Sequence, residues 1–206
     1  MDAQFLAELN ERLFVHFIQG QWRAPTGARH LPVLPFDGAR VGRIVCAEAR
    51  DVARARAGLG QGAPAPPDRL RAAYEALRGD LAALRRREGA VDPAGPPRAQ
   101  AVPGEGPMVL LSAAAVPVST LAGVILAAAG RGVLWKPAPG AAASAHLLVR
   151  GLGPLMDGNL ALVQGDHATG AAVLAGGGAV VWASDASAPE GVAPVLSLAA
   201  TDPRHR

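Results

Sequence analysis

Apolar and polar positions divide the chain into two differently patterned parts. From residue 107 onward, short runs of apolar side chains alternate with longer segments of helical spacing. MVLLS, GVLWKP, LALVQG, AVVWAS and APVLSLAA are each short and uniformly apolar, which predicts strands buried on both faces. Between them VSTLAGVILAAAG, ended by Gly130, AASAHLLVRGLG and ATGAAVLAGG predict helices. Apolar strands separated by helices predict an α/β fold, a Rossmann-like doubly wound parallel sheet with helices on both faces.

The first part is more polar. Phe5, Leu6, Leu9 and Leu13 fall on one side of a short helix over residues 3–15. HLPVLPF and RVGRIVCA read as two strands joined at Asp37-Gly38, a hairpin signal. EARDVARARAGL predicts a helix, and residues 60–68 a Pro/Gly-rich loop. Pro67 then opens a helix whose stripe is Leu70, Tyr74, Leu77, Leu81 and Leu84, with Gly89 as its cap. Arg85, Arg86 and Arg87 stand in the last turn, where the helix dipole favours cations, so the run predicts a solvated helix end rather than an anion site. Residues 88–106 predict a second loop, and the chain reads as one domain over 1–206.

Charge changes this picture little. The net charge is +3, but basic side chains are scattered among carboxylates and few aromatics are available to stack on bases, which argues against nucleic-acid binding. Residues 107–131 carry no charge until Arg131 and are long enough to span a bilayer. Pro117, Ser112, Ser119 and Thr120 interrupt the run, so no membrane span is expected. MDAQFLAELNER has acids where a secretory signal needs bases, and the expected location is cytoplasmic. Cys46 is the only cysteine and excludes a disulfide framework. It sits inside a strand without an evident base and reads as a buried structural thiol. The five histidines show no paired spacing, and no metal site is expected. His167 lies in a loop after a strand, where α/β sheets bind ligands, but it reads as an exposed loop histidine.

Four stretches in order, FIQGQW, LPVLPFDGARVGRIVCAEARDV, AAAGRGVLWKPAP and LALVQGDHATGAAVL, together resemble the aldehyde dehydrogenase superfamily. The resemblance covers roughly residues 16–203, about the first half of a full family member. It implies a cofactor domain with a strand ending in Lys-Pro and a later Val-x-Gly loop. Lys136, the only lysine, matches the family residue that hydrogen-bonds the adenosine ribose, and Gly165 matches the loop glycine. Both are therefore candidate, vestigial cofactor-binding positions. The acidic partner of that lysine falls on Pro139.

The departures are equally specific. Ala115 stands where the resemblance implies the oxyanion-stabilising asparagine, and an alanine offers no donor. Ser197 stands at the general-base glutamate, and a hydroxyl does not accept a proton near neutral pH. The glycine turn beneath the cofactor pyrophosphate has become WASDASAP, with Asp185 bringing the wrong charge for an anion. The domain that brings the family's nucleophilic cysteine is expected to be absent.

These residues predict a non-catalytic aldehyde dehydrogenase-like protein, a pseudoenzyme, with no catalytic residues and no cofactor. The family also includes two-halved members with a degenerate half packed on catalytic domains. The resemblance thereby implies a protein partner, a full-length dehydrogenase, or else a homo-oligomer. The alternative is the dinucleotide-binding part of a split aldehyde oxidoreductase, with NAD or NADP as cofactor.

Overall fold

The computed structural model describes residues 13–34, 38, 41–90, 95–97, 102, 104–190 and 195–198. The expected helix over 3–15 lies mostly outside them. Its described end, Leu13–Phe14, is strand β1, which pairs in parallel with a later strand, so tertiary pairing decides the conformation here. His16–Ile18 (β2) and Gln21–Arg23 (β3) form a tight hairpin. Gln19 and Gly20 make its turn, both at positive φ (53° and 73°), the geometry that matches the twist of paired strands. His30–Val33 (β4) and Gly42–Val45 (β5) are the expected hairpin, antiparallel with Val33 opposite Gly42. Strands β1, β5 and β4 make a small sheet.

Helix α1 (Ala49–Arg56) opens on a capping box between Glu48 and Asp51. Helix α2 (Pro67–Arg87) starts with proline in its first turn, where the missing N–H costs nothing, and ends before Gly89 at φ 76°. The alternating part follows as β6 (Met108–Ser112), α3 (Val118–Ala127), β7 (Val133–Pro137), α4 (Ala142–Leu152), β8 (Leu160–Leu162), α5 (His167–Ala175), β9 (Ala179–Ala183) and β10 (Val195–Leu198). Residues 107–131, of bilayer-spanning length in the sequence, thus divide into a strand, a turn and a ten-residue helix. Among the described residues no helix is long and apolar enough to cross a membrane.

The large sheet runs β10-β9-β6-β7-β8-β2-β3. Its first five strands are parallel, as the apolar runs predict. It departs from a purely parallel sheet at β2, which adds to β8 antiparallel with Phe17 opposite Leu162 and brings β3 with it. Side chains alternate between two cores, as a pleated strand requires. On one face Leu110, Trp135, Leu162 and Val181 pack with α3, α4 and the Leu70, Tyr74 and Leu81 stripe of α2. On the other, Val109, Leu111, Leu134, Val163 and Val180 pack with Val52 and Ala55 of α1 and Val173 of α5. Trp135 is buried and satisfies its indole N–H on Ser112 Oγ at 2.9 Å.

Candidate functional site

Parallel strands deliver their C-terminal ends, and the loops that follow, to one edge of the sheet. Open α/β sheets take ligands at that edge, where the strand order reverses. Here the reversal falls at β6, with β7 on one side and β9 on the other.

Lys136 lies one residue from the end of β7 at this edge. Cross-strand register aligns it with Leu111, Leu111 with Trp182, and Trp182 with Ser197, so the row crosses four strands. Two candidate positions separated by 61 residues thereby share one row. Lys136 is only 8% exposed. Burial holds its amine below the ordinary lysine value, against the opposing fields of Asp166 and Cys46. Its amine makes no hydrogen bond or ion pair with any described residue.

Gly165 is buried between β8 and α5. A Cβ there would stand 2.5 Å from Thr169 Cβ, so the helix approaches only because the side chain is missing. Thr169 uses the close approach, donating its hydroxyl to Ala47 O at 3.0 Å. Gly165 therefore has a packing role independent of any ligand. Beside it, Asp166 caps α5, accepting Thr169 N at 3.1 Å, and pairs with Arg29 across 137 residues of sequence. The hydrogen bond from Arg29 holds the Asp166 carboxyl down at about 2.

Ala115 is exposed in the turn after β6, where it presents a methyl group. That turn is clamped from below. Arg85 Nη2 donates to the carbonyls of Ala114 and Val116, the latter at 3.0 Å. Arg85 Nη1 meets Glu88 Oε2 at 3.0 Å, and Glu88 in turn accepts from Ser144 N and Oγ at 2.9 and 2.6 Å. Desolvation pushes the Glu88 carboxyl up, with the Ser144 hydrogen bond the largest opposing influence. Arg85 is 1% exposed, so the expected solvated helix end is corrected at this residue. The β6–α3 turn and the start of α4 cover the end of α2, where both Nη atoms of Arg85 find acceptors and its Nε finds none among the described residues.

The turn after β9 is closed on itself. Ala186 N donates to Ser184 Oγ at 3.1 Å, and Trp182 Nε1 donates to Ala186 O at 2.7 Å. The Ala186 amide is thus already engaged. Asp185 is exposed.

A second polar group sits beneath the same edge. His16 Nδ1 accepts from Gln164 N at 3.1 Å, and its Nε2 lies 3.9 Å from Asp51 Oδ2. Burial pushes His16 down to about 4 despite Asp51, so the contact joins a neutral imidazole to a carboxylate. Asp51 Oδ2 is occupied by Thr26 Oγ1 at 2.8 Å and Glu48 N at 3.2 Å. Cys46 is buried, as expected for a structural thiol, and His167 is exposed. Among the described residues no three metal-ligating side chains gather. A shallow depression of about 270 Å³, lined by Gln19, Gly58 and Asp157 among others, opens at the opposite end of the sheet from Lys136.

Sequence reasoning passed over Arg29, Asp166 and His16, whose partners are distant in sequence. It gave Arg85 only a solvated role, although its i+3 spacing to Glu88 was readable.

These elements define a doubly wound α/β protein with a ligand edge at the ends of its parallel strands. No family model matches the sequence, and no curated protein matches it. Solved structures do match the fold. HpcC from Thermus thermophilus superposes with a TM-score of 0.65 at 20% identity, over 88% of this chain and 45% of that one. A NAD-dependent aldehyde dehydrogenase from Sinorhizobium meliloti gives 0.65 at 17% identity, over 89% and 47%. A NAD-dependent benzaldehyde dehydrogenase from Corynebacterium glutamicum gives 0.64 at 14% identity, over 90% and 54%. The chain thus has the fold seen in aldehyde dehydrogenases and spans about half the length of those structures.

Proposed function

We propose that this chain is a non-catalytic aldehyde dehydrogenase-like protein that acts by associating with another protein, a full-length dehydrogenase. The observation that carries the reading is the turn after β9, where Ser184 and Trp182 bond to Ala186 and leave its amide unavailable to a pyrophosphate. Ala115 supplies no donor at the oxyanion position. Ser197 aligns across the sheet with Trp182, with a hydroxyl where the resemblance implies a carboxylate base. Cys46 is buried, away from the partly exposed setting a nucleophilic thiol needs.

One observation favours a second reading. Lys136 stands at the ligand edge without a partner among the described residues, as a residue awaiting a ribose would. In that reading the chain is the dinucleotide-binding part of a split aldehyde oxidoreductase, with Lys136 and Gly165 contacting NAD or NADP. Dinucleotide affinity needs several such contacts together, and the ribose and pyrophosphate contacts have no second member here. Calorimetric titration with NAD and NADP to millimolar concentration separates the two readings. The first expects no saturable heat; saturation abolished by Lys136→Met establishes the second.

A further inference from the structure

Strand β3 closes one end of the seven-stranded sheet and, among the described residues, pairs only with β2. The direction of its backbone groups follows from the turn that precedes it. Gln19 and Gly20 form a two-residue hairpin loop, so Ile18 and Gln21, which flank it, make a hydrogen-bonded pair. Pairs alternate along an antiparallel ladder, so Phe17 and Trp22 stand opposite without exchanging bonds, and His16 and Arg23 bond again. Phe17 accordingly turns its backbone to β8, where it meets Leu162. Trp22 turns its N–H and C=O the other way, off the outer edge of the sheet. Its side chain is 36% exposed, with ring centroids 4.1 Å apart in a stack on His146 of α4 and 4.9 Å apart edge-on to Phe17. An aromatic side chain thus stands held in place beside an outward backbone donor and acceptor.

We propose that this edge is a self-association site, at which β3 of a second copy of the chain adds antiparallel and centred on Trp22. In an antiparallel pair an outward-facing residue meets another outward-facing one, which leaves Gly20, Trp22 or Ala24 opposite Trp22. Meeting Ala24 would set Arg23 directly against Arg23 of the other copy, and like charges there repel. Meeting Gly20 would set Arg23 against Gln19, which lies in the turn at φ 53°. The register with Trp22 opposite Trp22 keeps β3 against β3 and joins the two residues by reciprocal N–H···O=C bonds. It sets each Arg23 against Gln21 of the other copy, a guanidinium beside an amide oxygen, on the sheet face opposite the paired indoles. β3 begins after the turn and ends at Arg23, so the edge accommodates a strand of its own length. The occupant it fits is therefore its own copy, and two-fold symmetry closes the contact. The self-pairing is independent of the dehydrogenase reading, and either can fail alone.

The test uses the full chain purified alone, so that no dehydrogenase is present. Sedimentation velocity from micromolar concentrations upward is expected to show a monomer–dimer equilibrium. Gln21→Glu places a carboxylate against Arg23 of the other copy and should tighten the dimer several-fold, whereas Gln21→Arg should weaken it several-fold. Gln21 is exposed, so neither change disturbs the core. Amide exchange followed by NMR reads the register. On dimerisation the Trp22 amide is expected to slow, while the Gln21 and Arg23 amides, already bonded to β2, change little. A chain that stays monomeric, a dimer indifferent to both Gln21 variants, or a Trp22 amide that exchanges equally fast in monomer and dimer would overturn the proposal.

Discussion

Arg85 and Glu88 stand one helical turn apart at the end of α2 and form an ion pair with side chains 1% and 2% exposed. The pair ties three elements together, through the carbonyls of the β6–α3 turn and the first residues of α4. Removing one member strands the other charge in the core. Arg85→Met is expected to cost about 3–5 kcal/mol, whereas Arg85→Met with Glu88→Leu should cost less than either single change. Urea unfolding of the three variants checks this, and a double variant less stable than both singles contradicts it.

His16 gives a pH dependence of definite sign. Its folded value of about 4 lies below the ordinary 6.5, so the folded state binds its proton less readily than the unfolded chain. The contribution is fully present above pH 6.5 and is lost as the pH falls toward 4, up to about 3 kcal/mol in all. The Asp166 carboxyl, held down by Arg29, titrates at lower pH, whereas the Glu88 carboxyl, pushed up by burial, acts in the opposite sense, so the difference between the native chain and His16→Gln isolates the His16 part. Denaturant midpoints between pH 7 and 4 should fall steeply in the native chain and much less in His16→Gln. A flat native profile would show that His16 titrates normally.

Gly165 allows packing and cofactor roles to be separated. Gly165→Ala pushes a methyl group into Thr169 and is expected to destabilise the chain by about 1–3 kcal/mol. The loss of thermal stability should be the same with and without NAD. A variant as stable as the native chain would mean that α5 does not sit on the strand end as described.

Cys46 should be inert. In the folded chain an aromatic disulfide reagent is expected to label it no faster than global unfolding allows, and fully in denaturant. The isolated chain is also expected to show no aldehyde oxidation. Turnover abolished by Cys46→Ser would contradict both expectations.

The exposed pair of Arg29 and Asp166 should matter less than its geometry suggests. Arg29→Ala is expected to change the unfolding midpoint little, since solvent screens the pair. Asp166→Ala also removes the α5 cap and should cost about 1 kcal/mol more. Equal losses would assign the whole effect to the ion pair.

The parallel strands were legible because burial on both faces demands uninterrupted apolar runs, and MVLLS and VLWKP satisfy that demand locally. The β2–β3 hairpin was less visible, since Gln-Gly is a weaker turn signal than Asn-Gly. Arg85 was misread because a charged run at a helix end has a sufficient local explanation in the dipole. Yet Arg85 continues the Leu70, Tyr74 and Leu81 stripe at four-residue spacing, and Glu88 follows three residues later. Stripe position was the better guide than charge. The His16, Asp51 and Gln164 group had no local signal, because fold topology brings it together over 148 residues.

The central claim concerns association, and native mass spectrometry of the chain purified from its own cells under gentle conditions tests it most directly. The expected result is a stoichiometric complex with a full-length aldehyde dehydrogenase. A chain recovered alone, or bound only to NAD, would contradict it.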